Sequence, residues 1–270
     1  MTLAQALQWA EQAGLPALDA RLLLLHLLGR PHDRAWLYAH DDQTLPADRA
    51  SAFEALCERR RSGEPLAYLT GEKEFFGLPL RVDRRVLIPR PDTETLVQWA
   101  LDLSLPSAAR VIDLGTGSGA IALALKHQRP AWQVSALDAS ADALQVARAN
   151  GHALGLAVHW QAGHWLAHTP GPFDLIVSNP PYIALGDAHL AALTHEPPSA
   201  LTAGVQGLDD LRTICAQAPS RLAGGGWLVL EHGHDQAQAV RELLQQAGLQ
   251  QVQSRRDLAG IERCSAGRQP

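Results

Sequence analysis

Residues 110–126 read as one uninterrupted strand, glycine turn and helix. The apolar run Arg110–Leu114 leads into D-L-G-T-G-S-G-A at 113–120, and a helical stretch follows at 120–126. Three glycines at every second position, Gly115, Gly117 and Gly119, let the backbone turn tightly and lie close to a ligand. The pattern repeats downstream. A strand at 134–138 precedes a helix at 141–150, further strands are expected at Phe173–Ser178 and 227–231, and a late helix carries Val240, Leu243, Leu244 and Ala247 at helical spacing. Strands separated by helices of this length imply a doubly wound, mostly parallel sheet. The fold class expected from residue 92 onward is therefore α/β and Rossmann-like. Asp92 is expected to cap a helix with Leu96, Trp99, Ala100 and Leu103 on one face.

The first 70 residues have another character. They are rich in Ala and Leu and nearly free of β-branched residues, which predicts four or five short helices. Gly14, Gly29 and Gly63 are placed to stop helices, and Pro31 and Pro46 to start them. Between these parts, Phe75, Phe76, Leu78, Leu80 and Val82 around Gly77 suggest a hairpin, stiffened afterwards by Pro89 and Pro91. The expected domains are a helical, substrate-binding domain at 1–70, a β-hairpin linker at 71–91 and a catalytic domain at 92–270.

The net charge of −5 supplies no general grip on nucleic acid, and the first 70 residues hold seven Arg against nine Asp or Glu. Cys57, Cys215 and Cys264 are isolated, which fits a reduced, cytoplasmic compartment. The Leu-rich run at 22–28 is too short to span a bilayer. The expectation is a cytoplasmic monomer that binds neither membrane nor nucleic acid directly. Glu231, His232 and His234 lack a third metal-ligand spacing, so no metal is expected.

The glycine turn alone leaves its ligand open. Asp138 ends the next strand at the offset from which a carboxylate accepts hydrogen bonds from both hydroxyls of a ribose. Together they point to an adenosine-bearing ligand, either NAD or S-adenosylmethionine. The sequence Asn179-Pro180-Pro181-Tyr182 chooses between them. It follows the strand Phe173–Ser178, whose end is expected beside the glycine turn. An amide nitrogen is a poor nucleophile because resonance holds its lone pair, as the ~18–20 kcal/mol barrier of the peptide bond shows. A site that methylates it must orient it. The Asn179 oxygen can accept one N–H and the Pro180 carbonyl the other, while proline adds no competing donor. Tyr182 can pack its ring on the flat target group. Such a site works by orientation and electrostatics, without a general base. The motif marks methyltransferases of planar nitrogens, DNA adenine and protein glutamine alike. No Tyr-x-x-x-Lys pair supports an NAD oxidoreductase, and no long insertion follows Tyr182 to read DNA.

The chain resembles the PrmC/HemK family of release-factor glutamine methyltransferases over nearly its whole length. The resemblance rests on PLAYLTGE (65–72), EFFGLPL (74–80), LIPRPDTE (87–94), the glycine turn, the Asn-Pro-Pro-Tyr motif, EPPSAL (196–201) and GGWLVLEHG (225–233). It implies a helical N-terminal domain and a seven-stranded, class I S-adenosylmethionine-dependent catalytic domain. It also implies methylation of the glutamine in the Gly-Gly-Gln loop of peptide chain release factors. By motif match, Asp113, Gly115, Thr116, Gly117, Ser118, Gly119, Asp138, Trp165 and Asn179 would hold the cofactor, with Asp113 at its methionine end and Trp165 near the adenine. Asn179, Pro180, Pro181, Tyr182 and Phe75 would contact the substrate, with Asn179, Pro180 and Tyr182 catalytic. The ribosomal-protein glutamine methyltransferases share the catalytic motif. The residues Pro91-Asp92-Thr93-Glu94 favour the release-factor branch.

Overall fold

The computed structural model describes residues 1–31 and 33–270. The chain divides into two compact units, Met1–Glu72 and Lys73–Pro270.

The first unit is all-helical: α1 (Leu3–Gln12), α2 (Ala17–Leu27), α3 (Arg34–Ala39), α4 (Ala47–Arg61) and α5 (Leu66–Thr70). Thr2 and Gln5 form a reciprocal capping box on α1. Gly14, Gly29 and Gly63 each follow a helix. Pro46 caps α4. Pro31 starts nothing: α3 begins later, where the Asp33 carboxylate accepts the Trp36 amide at 3.0 Å. Leu3, Leu23, Leu24, Leu25, Leu37 and Phe53 form the core. Arg60 bridges α4 to Asp19 of α2 at 2.7 Å.

The second unit begins with a hairpin, β1 (Glu72–Phe75) and β2 (Leu78–Arg81), followed by α6 (Glu94–Asp102). The alternating part runs β3 (Arg110–Leu114), α7 (Ala120–Gln128), β4 (Gln133–Asp138), α8 (Ala141–Leu154), β5 (His159–Ala162) and β6 (Phe173–Ser178). After a long irregular loop come α9 (Asp209–Gln217), β7 (Leu222–Glu231), α10 (Ala237–Gln246), β8 (Gln250–Arg256) and β9 (Glu262–Arg268). The seven-stranded sheet has the order β5-β4-β3-β6-β7-β9-β8. Its first five strands are parallel, and β9 is antiparallel to both neighbours.

The pleat divides the core between the two sheet faces. Val111, Leu175, Val177 and Val229 pack with α6 and α7, while Ile112, Ile176, Leu228 and Leu230 pack with α9 and α10. The hairpin is part of this body. Phe75, Leu78 and Leu80 lie in the same core as Trp99 and Val111. The side chain of Asn150 on α8 accepts the Arg81 amide at 2.8 Å and donates to the Arg81 carbonyl at 3.0 Å. Residues 72–82 are thus a packed element, not a spacer, because burying the two-strand apolar face requires a third partner. Asp92 does not cap α6. The helix starts at Glu94 after a single 3-10 turn, and Asp92 pairs with Arg263 at 3.5 Å. Among the described residues, no helix is long and apolar enough to cross a membrane.

Candidate active site

Strands β3 and β6 end side by side, with Leu114 in register with Ser178. The buried Ser178 hydroxyl donates to the Leu114 carbonyl at 2.7 Å. This bond joins the last residue before the glycine turn to the last residue before Asn179. Two loops remote in sequence therefore emerge together at the carboxyl edge of the sheet, where open α/β sheets bind their ligands.

The turn is pinned to β4. The Gly115 and Thr116 amides both donate to the Leu137 carbonyl, at 2.8 and 3.0 Å. The Gly117 amide donates to Asp138 Oδ2 at 2.8 Å, and the Ser140 amide to Oδ1 at 2.8 Å. Each carboxylate oxygen keeps a free lone-pair direction. Gly119 has φ +84°, and a Cβ there would meet Trp160 at 3.0 Å, Leu123 at 3.1 Å and Ala147 at 3.3 Å. Gly117, at φ +57°, faces open space. Only one of these two glycines is closed in by protein, and the other fronts a cavity.

That cavity has a volume of about 350 Å³ and is lined by Gly115, Gly117, Asp138, Trp165, Asn179 and Pro181 among others. Leu87, Leu137, Gly163 and Asp210 also line it. Trp165 is held at a positive φ of 48°, a conformation unusual for a bulky side chain. Its Nε1–H donates to Asp210 Oδ1 at 3.0 Å, and its ring lies over Gly115, where a Cβ would come within 3.4 Å. Burial raises the Asp210 pKa, with the Trp165 hydrogen bond opposing it.

Asp113, Thr116, Ser118 and Gly119 are buried on the protein side of the turn rather than on the cavity wall. Asp113 is completely buried and accepts the Thr116 hydroxyl at 2.6 Å through Oδ2, while Oδ1 has no partner. Burial pushes its carboxyl up to about 7, with Thr116 opposing. The Ser118 carbonyl accepts Asn150 Nδ2 at 2.9 Å, so one buried amide fixes both the turn and the hairpin. Phe75 is not at the site. It is 1% exposed inside the core beside Leu78, Leu80 and Trp99. Alternation along β1 turns it inward, and the adjacent Phe76 packs only at the core's margin.

A second, smaller cavity of about 160 Å³ is lined by Asn179, Pro180, Tyr182, Leu87, Arg90 and Ala200 among others. Asn179, Leu87 and Ala200 line both cavities. Arg90 forms an ion pair with Glu196, whose other oxygen accepts the Ile88 amide at 3.1 Å. The nearly buried Glu196 thus ties the LIPRPDTE corner to the EPPSAL loop across this cavity. Asn179 Nδ2 donates to the Thr93 hydroxyl at 3.2 Å, and the Tyr182 hydroxyl donates to Glu231 Oε1 at 3.2 Å. Burial pushes Glu231 up to about 7, opposed by the hydroxyls of Thr93 and Tyr182. Burial, then the Glu231 charge, raises the Tyr182 phenol well above its ordinary value. The roles of Thr93, Glu196 and Glu231 went unread in the sequence although each lies in a quoted motif. Asp210 carries no signal of its own. A larger, more open cleft of about 570 Å³ lies at the amino ends of the strands, around Arg110, Gln133 and Phe173. It holds no motif residue and is at the wrong end of a parallel sheet for catalysis.

Known proteins agree with this arrangement. Residues 2–71 match the PrmC N-terminal domain, and residues 92–255 match the methyltransferase small domain. The release factor glutamine methyltransferase of Bordetella pertussis is 52% identical over 94% of this chain and 95% of its own length. That of Xylella fastidiosa strain Temecula1 is 52% identical over 93% of both chains. That of Vibrio cholerae is 46% identical over 93% of this chain and 89% of its own. Among solved structures, a methyltransferase from Pyrococcus furiosus has a TM-score of 0.56 at 19% identity, covering 81% of this chain and 98% of that one. A Thermus thermophilus 16S rRNA methyltransferase in complex with AdoMet and guanosine has a TM-score of 0.54 at 19% identity, covering 74% and 50%. These structural likenesses show the shared methyltransferase fold, and the sequence relatives show more: the chain belongs to the release factor glutamine methyltransferase family.

Proposed function

We propose that this chain transfers a methyl group from S-adenosylmethionine to the side-chain amide nitrogen of the glutamine in the Gly-Gly-Gln loop of peptide chain release factors. The observation that carries the reading is that Asn179 belongs to the walls of two cavities at once, one framed by the glycine turn and Asp138, the other by Pro180, Tyr182 and Arg90. A nitrogen held at Asn179 from the smaller cavity would face the larger one.

The residues of the larger cavity fit S-adenosylmethionine. Its volume lies within the range of small-molecule sites. A Cβ on Gly117 would fill part of it, so backbone can lie directly against a ligand. Asp138 has acceptor capacity for ribose hydroxyls, and Trp165 and Leu137 offer an apolar wall for a base. Asp113 and Thr116 would act from behind, by holding the turn in shape. When bound, S-adenosylmethionine supplies an electrophilic methyl carbon on a sulfonium.

The chain's part is orientation. Asn179 Oδ1 accepts one N–H of the substrate amide and the Pro180 carbonyl the other, which places the nitrogen lone pair toward the larger cavity. Tyr182 and Pro181 flank the planar group. No side chain has to remove a proton before attack, because the neutral amide is the nucleophile; the surplus N–H proton leaves after the methyl has moved from sulfur to nitrogen. Pairing geometry and exclusion of water do the work.

The helical unit, which has no residue of either motif, is assigned to docking the partner protein. Its removal should impair methylation of a whole release factor more than that of a Gly-Gly-Gln peptide. The central test is mass spectrometry of a release factor incubated with the enzyme and S-adenosylmethionine. One methyl increment on the Gly-Gly-Gln peptide is expected. An unmodified factor, or methyl transfer to duplex DNA instead, overturns the reading.

A further inference from the structure

We propose that Glu231, acting through Thr93, is the positioning group that sets the direction of the Asn179 amide, so that its oxygen and not its nitrogen faces the substrate.

The proposal rests on the glutamine reading above and deepens it. A carboxamide has an acceptor end and a donor end of nearly the same shape. Asn179 serves as an acceptor only if its Oδ1 is turned toward the smaller cavity. Turned the other way, it would present N–H groups to the N–H groups of the substrate. Something must decide between two orientations that sterics cannot tell apart.

The neighbours decide it. Asn179 Nδ2 lies 3.2 Å from the Thr93 hydroxyl oxygen. Thr93 is 4% exposed, so its single hydroxyl proton must find a protein acceptor. Glu231, on the last residue of β7, is 1% exposed. Its Oε1 accepts the Tyr182 hydroxyl, and its buried Oε2 has no partner of ordinary hydrogen-bond geometry. After burial, the Thr93 hydroxyl is the strongest influence on this carboxyl. The relay assigns the Thr93 proton to that orphaned oxygen. Above its pKa of about 7 Glu231 is ionised, and a carboxylate only accepts. With Glu231 at the end of the chain, the Thr93 proton points to Glu231, the Thr93 lone pair points to Asn179, and Asn179 must donate Nδ2 to it. Its Oδ1 is then left for the substrate. The same carboxylate takes the Tyr182 hydroxyl, so one buried group holds both side chains of the motif. Arg263 and Asp92 are the remaining charges acting on it, and they oppose each other.

The experiment compares Thr93→Val, Thr93→Ser and Glu231→Gln with wild type in three readouts: kcat and KM for release-factor methylation, affinity for S-adenosylmethionine by calorimetry, and thermal unfolding. Thr93→Val keeps the shape and removes the hydroxyl. It should lower kcat by about 10²-fold, the scale of losses from misdirected reacting groups, with cofactor affinity unchanged. Thr93→Ser restores the hydroxyl and should recover most of kcat. Glu231→Gln substitutes a group that both donates and accepts, so the direction is no longer enforced, and kcat should fall again at unchanged cofactor affinity. If Thr93→Val keeps its kcat, or Thr93→Ser is as slow as Thr93→Val, the relay is wrong. A loss explained by weaker cofactor binding also overturns it. Should Thr93→Val not fold, Thr93→Ser and Glu231→Gln decide the matter alone. If wild type leaves the release factor unmodified, the fault lies with the proposed substrate, not with the relay.

Discussion

Two glycines two residues apart in one turn should respond to the same substitution in different ways. Gly117 and Gly119 both occupy the left-handed region, at φ +57° and +84°. Placing any L-residue there costs roughly 1–2 kcal/mol. At Gly119 the added methyl also meets Trp160 at 3.0 Å, Leu123 at 3.1 Å and Ala147 at 3.3 Å. Overpacking of this kind costs about 1–3 kcal/mol. Gly119→Ala should therefore destabilise the protein by about 2–5 kcal/mol in total. Gly117→Ala meets nothing within 4 Å, so only the backbone term remains. Its methyl enters the larger cavity, and the loss should appear in cofactor binding. For a body of this size each kcal/mol moves Tm by roughly 2–4 °C, so thermal or urea unfolding resolves the pair. Calorimetry with S-adenosylmethionine gives the second axis. The reasoning fails if Gly117→Ala is as destabilising as Gly119→Ala, or if it binds the cofactor like wild type.

Asn179→Ala should reduce methyl transfer by about 10²-fold or more while the cofactor still binds, since Gly117, Asp138 and Trp165 remain on the larger cavity's wall; full activity in a release-factor assay would remove Asn179 from the mechanism. Asn150→Leu strands the Arg81 amide and the Arg81 and Ser118 carbonyls inside the second unit, and should cost at least about 2 kcal/mol in urea unfolding. A cost near zero would mean that water replaces Asn150. Glu231→Gln should change how stability depends on pH. The folded carboxyl lies at about 7, above its ordinary 4.5, so the native state binds a proton that the unfolded chain has released, and stability falls as pH rises between those values. The neutral variant lacks this loss. Relative to wild type it should gain stability at pH 8 compared with pH 5, on top of whatever constant change the substitution brings. A pH-independent difference would show that Glu231 titrates normally.

The strand–turn–helix at 110–126 was legible because apolar period and glycine placement agree over a short span. The apposition of the Gly115 and Asn179 loops was legible from topology alone. Other parts depend on partners far along the chain. Strand β8 is largely polar and solvated at the sheet edge, so it has little alternation to read. Strand β5, at the other edge, has no fully buried residue. Edge strands have one partner fewer and leave a weaker pattern in sequence. Phe75 and Asp92 illustrate the same limit within the site region. An aromatic in a short hairpin reads equally as core or as pocket, and an acidic residue before a helix reads as its cap. The core around Trp99 and the ion pair with Arg263 settle these positions, and neither is local. The Thr93 and Glu231 contacts join residues from opposite parts of the second unit, so spacing could not reveal them.

The placement of β9 has a consequence for how the molecule comes into being. Residues 262–268 are inserted between β7 and β8, with Cys264 opposite Glu231 and the Arg263 carbonyl accepting the His232 amide at 3.0 Å. During synthesis, every earlier strand and the whole glycine turn can emerge while the edge of β7 still lacks its neighbour. A nascent or truncated chain ending before Glu262 would show that edge to other chains as a template for aggregation, and it would leave Glu231 on an unsupported strand. Competence should thus arrive in one step once residues 262–268 are in place, rather than growing as the domain lengthens.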